Sequence, residues 1–319
     1  MTHLLELYAK LIGLGLIGFI LGRKLPATIP ARLGQFLFWV GVPTSIVAFL
    51  RKTDLSEKVW IAPVFAYAAI LLGAVVAVLV IYFRSIWANK VMSQSTQGSL
   101  ILAAMVGNTG YLGYPIVLSL VGTQYFAWAL FYDLLGTTLG AYGFGVALAA
   151  KFGNGSPDNI TSITNSKQNS DRTRVVKAIL INPALWSFGL GLLLRQVTLP
   201  NFAVSCLDFI AWSAIATSLI LIGMRLSQLS SWGSLKLASI SLTIKMIFIP
   251  LLFGMCLHHF GLTGKIAQVI VLQMAMPPAF ATLVLAETFN LDRELAVTAL
   301  ALGSIILLIT LPFWLWFFR

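Results

Sequence analysis

The chain predicts an all-α polytopic membrane protein, with ten transmembrane helices in two inverted five-helix repeats and breaks in helices four and nine. Three observations lead there. The 319 residues are 59% hydrophobic and 10% charged, with a mean hydropathy of +0.92, more apolar sequence than a water-soluble core uses. The apolar residues fall into ten runs, each near the about 17–25 residues that cross a bilayer as a helix. A polar stretch divides the runs five and five, and one run in each half carries a proline break.

The first run, 4–22, is read as a retained span rather than a signal peptide, because Glu6 and Lys10 interrupt its start and no basic leader precedes it. Runs 32–50, 61–83, 99–121 and 124–148 complete a first repeat, 1–150. Residues 151–177, rich in Ser, Asn, Gly, Asp and Lys, predict a polar linker. Runs 178–195, 202–223, 236–256, 264–287 and 295–317 form the second repeat, 178–319. Five crossings per half oblige the second half to enter the membrane from the opposite side, so repeats of this kind are inverted.

Charge sets the orientation. The loops after odd-numbered runs hold Arg23, Lys24, Arg32, Arg84, Lys90, Lys151, Lys167, Arg172, Arg174, Lys177, Arg225, Lys236 and Arg293. The other side holds Arg51, Lys52, Lys58, Arg195, Lys265 and Arg319, of which the Arg51–Lys58 cluster opposes the trend. The bias predicts an integral membrane protein with a cytoplasmic linker and both termini outside. It also accounts for the net charge of +11 without nucleic acid as a partner. Cys206 and Cys256 have no pairing or metal-ligand spacing and read as packing residues. The His258-His259 pair reads as an interfacial cap, because adjacent helical positions diverge by about 100°. No metal site and no ATP-binding loop is visible, and the chain needs no cofactor.

The stretch Asn108-Thr109-Gly110-Tyr111-Leu112-Gly113-Tyr114-Pro115 lies inside the fourth run, where two glycines and a proline interrupt helical hydrogen bonding. Met276-Pro277-Pro278-Ala279 interrupts the ninth run at a similar place. In lipid, freed backbone groups survive only against protein or a water-filled cavity. Paired breaks in two halves of a membrane chain point to a transporter's binding site. A helix restarting after such a break presents about half a positive charge at its N-terminus. If the breaks cross, two such ends face one small space, which suits a carboxylate. A plain proline kink is the bland reading.

Asn-Thr-Gly-Tyr-Leu-Gly-Tyr-Pro at 108–115 resembles the Asn-x-Gly-x-x-Gly-x-Pro signature of the auxin efflux carrier family, related in fold to the bile-acid/sodium symporters. Pro43, Asn182-Pro183, Leu221-Ile222-Gly223-Met224 and Met276-Pro277-Pro278-Ala279 with Leu285-Ala286 extend the likeness over nearly the whole chain. The resemblance implies crossover helices four and nine, shared between a scaffold and a transport domain, each drawn from both repeats. It also implies elevator-type movement of organic anions, such as auxin-like acids or dicarboxylates. By position, Asn108 would be a polar substrate ligand, with Gly110, Tyr111, Gly113, Pro115, Met276, Pro277 and Pro278 framing the crossing and Asn182 a weaker candidate. Tyr111 and Tyr114 would either touch substrate or only pack. The partners implied are the lipid bilayer and a small organic anion; a homodimer is compatible with this.

Ionisable residues deep in spans are functional candidates by default. Asp133 and Lys245 lie about ten residues into their runs and read as coupling or charge-balancing groups, or as a structural pair. Glu6, Lys10, Asp208 and Glu287 lie nearer span ends and read as snorkelling. Asp292-Arg293-Glu294 reads as a solvated loop. An intramembrane enzyme lacks convergent nucleophile and base candidates. An ion channel would normally build its filter from symmetric loops. Neither the paired aspartates of sodium/proton antiporters nor the sodium-site clusters of bile-acid symporters occur, leaving proton coupling or uniport.

Overall fold

The computed structural model describes residues 2–26, 28–55, 57–87, 92–153, 182–228 and 233–318. These form helices and no strand: α1 (Thr2–Lys24), α2 (Thr28–Phe36), α3 (Val42–Leu50), α4 (Ile61–Trp87), α5 (Gln94–Met105), α6 (Tyr114–Leu120), α7 (Phe126–Phe131) and α8 (Val146–Phe152) in the first half. The second half supplies α9 (Pro183–Leu194), α10 (Asn201–Ser227), α11 (Leu235–Leu242), α12 (Ile249–Leu257), α13 (Gly264–Met274), α14 (Phe280–Thr288) and α15 (Arg293–Phe317). Six helical stretches are long and apolar enough to cross a membrane: Thr28–Leu50, Lys58–Trp87, Thr123–Phe152, Asn201–Ser227, Leu235–Phe260 and Arg293–Phe317. The expected fourth run is divided between α5 and α6, and the ninth between α13 and α14. The linker expected at 151–177 lies outside the described residues beyond Gly153, where α8 has just ended.

The helices are inside out relative to a soluble protein. On α4, Val64, Leu71, Val75, Leu79, Phe83 and Ile86 are exposed at helical spacing, while Ala62, Ala66, Ala69, Gly73 and Ala77 are buried. Small residues let helices approach, and the large apolar face needs hydrocarbon around it. α1 and α10 approach more closely still. Gly18 lies against the Ile220 carbonyl and Gly223 against the Gly15 carbonyl, so no side chain separates the two backbones. α1, α3, α9 and α10 pack together as one group. α4, α5, α11 and α15 pack as another.

Five π-helical stretches interrupt these helices: Leu37–Gly41, Thr109–Gly113, Tyr132–Thr138, Ala141–Gly145 and Thr243–Phe248. Three of them end two residues before a proline, Pro43, Pro115 or Pro250. Proline has no N–H and its ring crowds the carbonyl four residues back, so the preceding turn widens. The carbonyls left without a donor by Pro115 and Pro250 belong to Tyr111 and Met246. The Ser218 hydroxyl donates to Tyr111 O at 3.3 Å, and Trp314 Nε1–H donates to Met246 O at 3.1 Å. Neighbouring helices therefore satisfy what the prolines release.

The surface charges pair rather than snorkel alone: Lys10 with Glu6 at 2.7 Å, Lys52 with Asp208 at 2.5 Å and Arg293 with Glu287 at 2.7 Å. The solvated loop expected at 292–294 is corrected by Asp292, which caps α15. Its Oδ1 accepts from Leu295 N–H and its Oδ2 from the Thr96 hydroxyl, both at 2.9 Å, and its carbonyl accepts from Ser99 at 2.8 Å. An aspartate just before a long apolar helix is a cap by position. Asp292→Ala is expected to cost about 1–2 kcal/mol for the lost cap, read as a lower melting midpoint of the solubilised protein. An unchanged midpoint would show that the Thr96 and Leu295 bonds contribute nothing.

Candidate functional site: the junction of the two breaks

Both breaks are extended backbone between helices. After α5, Val106 has φ −105° and ψ 115°, and Asn108 has φ −80° and ψ 61°. Ala279, before α14, has φ −75° and ψ 153°. Pro277 and Pro278 cannot donate and favour extended backbone before them, so the second break pairs through its carbonyl and its flanking amide. Asn108 N–H donates to Pro277 O at 2.7 Å and Ala279 N–H donates to Val106 O at 3.0 Å. These bonds straddle an antiparallel bridge between Gly107 and Pro278. The backbone groups freed by each break are thus partly satisfied by the other.

Beside the junction lies a cavity of about 300 Å³. Asn108, Thr109, Gly110 and Tyr111 of the first break and Phe280 and Ala281 at the start of α14 line it, so both restarting helices open onto one space. Asp133, Thr137 and Tyr142 from the π-helical stretches and Asn182 before α9 complete its polar face. Phe38, Val42, Val146, Val284 and Leu285 form an apolar wall.

The expected site residues divide into three groups. Asn108, Gly110, Tyr111, Asp133 and Asn182 line the cavity. The Asn108 side-chain amide makes no hydrogen bond to the described residues, although the residue's backbone carbonyl accepts from Leu112 and Gly113 N–H. Asn182 also caps α9, its Oδ1 accepting from Ala184 N–H at 3.0 Å. Gly113, Pro115, Met276, Pro277 and Pro278 build the junction without lining the cavity. Lys245 neither lines the cavity nor bonds at the junction: it is 2% exposed, with its Nζ against Gly107.

Asp133 and Lys245 do not pair, which corrects the structural-pair alternative. The Thr109 hydroxyl donates to Asp133 Oδ1 and the Tyr114 hydroxyl to Oδ2, the latter at 2.6 Å. Those short-range donors occupy both oxygens, and Lys245 makes no ion pair among the described residues. Tyr114 is therefore a buried structural donor, while Tyr111 lines the cavity.

Two features escaped the sequence reading. Gln273 is fully buried, packed against Gly113, and neither amide atom has a hydrogen-bond partner. A second glutamine of the run, four residues before the proline pair, was its only signal. The Arg225 guanidinium stacks 5.7 Å from the centre of the Phe280 ring, joining α10 to the start of α14. It stood in sequence only as a loop charge.

The family profile described as membrane transport protein matches residues 3–315. The chain belongs to this auxin efflux carrier-type family of membrane transporters. Among the family's members, an uncharacterized transporter of Methanothermobacter thermautotrophicus is 27% identical over 287 residues, 88% of this chain and 87% of its own. One of Methanocaldococcus jannaschii is 24% identical over 287 residues, 89% and 88% of the two chains. The uncharacterized transporter YfdV of Escherichia coli is 27% identical over 166 residues, about half of each chain. The family match spans both breaks, and the apolar helices described above fit a multi-pass membrane transporter.

Proposed function

We propose that this transporter is a secondary carrier of a small organic anion, an auxin-like acid or a dicarboxylate, bound at the junction of the breaks. The single observation that carries the reading is the cavity lined by both restarting helices and by Asn108, whose side-chain amide has no partner among the described residues. Helix N-termini stabilise an anion with aligned N–H groups, and the Asn108 amide adds a neutral donor. Gly110, Tyr111 and Asn182 would complete the pocket, over a junction built by Gly113, Pro115, Met276, Pro277 and Pro278.

The antiparallel pairing of the breaks supports ten crossings in two inverted repeats, with α5–α6 and α13–α14 as the crossover helices. The separate packing groups support alternating access of elevator type. In that reading α1, α3, α9 and α10 form the scaffold, and the crossover moves against it. Charge bias supports a cytoplasmic linker and extracytoplasmic termini. Lys245, buried behind Gly107, would balance charge at the junction.

The test is a thermal-shift series on the solubilised transporter with indole-3-acetate, a simple monocarboxylate and succinate. A bound anion raises the melting midpoint with concentration, by about 2.7 kcal/mol of stabilisation at a hundred times its dissociation constant. Saturable counterflow of the stabilising anion in proteoliposomes is then expected. A channel-like conductance without counterflow would sink the carrier reading.

A further inference from the structure

We infer that one proton, held on Asp133, travels with each substrate anion, making this a proton–anion symporter that is electroneutral for a monocarboxylate. The inference rests on the anion reading of the cavity above. Among the described residues Asp133 is the one charged side chain on the cavity wall, it is buried, and no cation there pairs with it. The titratable groups facing it are Tyr111, Tyr114 and Tyr132. None of them supplies a positive charge. Lys245, its Nζ against Gly107, and Arg225, stacked on Phe280, are the nearby basic residues of the junction; among the described residues neither lines the cavity nor pairs with Asp133.

In the empty cavity each carboxylate oxygen of Asp133 accepts one hydroxyl, from Thr109 and from Tyr114. Two hydroxyl donors favour the ionised form. A substrate carboxylate entering this small, largely apolar space would be a second anion beside the first, and two carboxylates sharing such a site do not both stay ionised. The anion is accommodated when Asp133 takes a proton from the water on the side it enters.

The same geometry provides for the protonated state. The Thr109 hydroxyl lies 3.5 Å from Gly107 O as well as beside Asp133. A protonated Asp133 donates to the Thr109 oxygen, and that hydroxyl turns to the Gly107 carbonyl. Gly107 is the residue that bridges Pro278, so occupancy of the proton site is felt at the crossing itself. On the far side the anion leaves, Asp133 releases the proton to water, and the two hydroxyls close on the carboxylate again. No bond to the substrate forms or breaks; a monocarboxylate and its proton move no net charge together, and a dicarboxylate with one proton moves one negative charge.

Calorimetric titration of the purified transporter with indole-3-acetate and with succinate, in two buffers of different ionisation enthalpy, counts protons taken up on binding. We expect about one proton per bound anion in the wild type and about none in Asp133→Asn. In proteoliposomes an acid-outside gradient should then drive accumulation of the bound probe, with no response to a clamped potential for indole-3-acetate and a response for succinate, whose second carboxylate stays uncompensated. Binding with no proton uptake, or equal uptake by Asp133→Asn, overturns the inference and leaves the anion reading standing. Binding of neither probe overturns both. Should the variant fail to fold, an infrared difference spectrum of the wild type decides: a protonated-carboxyl band appearing on binding supports the inference, and its absence overturns it.

Discussion

Asn108→Ala is expected to abolish anion counterflow in proteoliposomes while leaving folded yield and melting midpoint close to wild type. The backbone of Asn108 carries the structural load: its N–H bonds Pro277 O and its carbonyl accepts from Leu112 and Gly113. Alanine keeps all of these. The φ −80° and ψ 61° of residue 108 match an inverse γ-turn, open to any L residue. Because the side-chain amide has no partner among the described residues, its loss leaves no orphaned group behind. What disappears is the side-chain donor of a residue that lines the cavity. A hydrogen bond to a charged ligand contributes about 1.5–3 kcal/mol, roughly a ten- to hundred-fold loss of affinity. Unchanged counterflow with an unchanged half-saturation would remove Asn108 from the site.

A second large effect is expected far from the cavity. Gly18→Ala should destabilise the transporter by at least about 1–3 kcal/mol, the cost of overpacking. Its Cβ would run into the backbone of Ile220, which is 2.8 Å away at the carbonyl carbon. Main chain cannot rotate aside as a side chain can, so α1 and α10 would have to separate along their whole contact. Three residues earlier in the same helix, Gly15→Ala should be neutral or slightly stabilising. A Cβ there meets nothing within 4 Å, and alanine is favoured over glycine in a helix by about 1 kcal/mol. Melting curves of the two variants side by side test this. Equal midpoints would mean that α1 and α10 do not approach at their backbones.

Much of the fold was legible because glycine and proline speak locally. The first break lies at 106–108 rather than 108–115, and the stretch after Asn108 is π-helical and then α-helical, with Pro115 in the first turn of α6. The break at 276–279 was found where the structure leaves the helix, since missing N–H groups and absent Cβ atoms act on their own neighbours. Asn108 stood out for the same reason. The partners of Asp133 were not legible. Thr109 is 24 residues away and Tyr114 is 19, and no periodic signal marks which hydroxyl will meet which carboxylate. Helical periodicity gives little help in this chain. α4 is apolar on both faces, so the pattern does not say which face meets protein and which meets lipid.

By itself, the sequence determined that this is a multi-pass membrane protein with two interrupted runs, because hydrophobicity and backbone chemistry are properties of single residues and short stretches. Only the tertiary structure decided that the interruptions bond to each other and that Asp133 is held by hydroxyls rather than by Lys245. It alone brought Asn108 and Asn182 to one cavity. Those are contacts between distant parts of the chain. They depend on how close two backbones come, and in this protein that is set by which helix faces are small enough to touch.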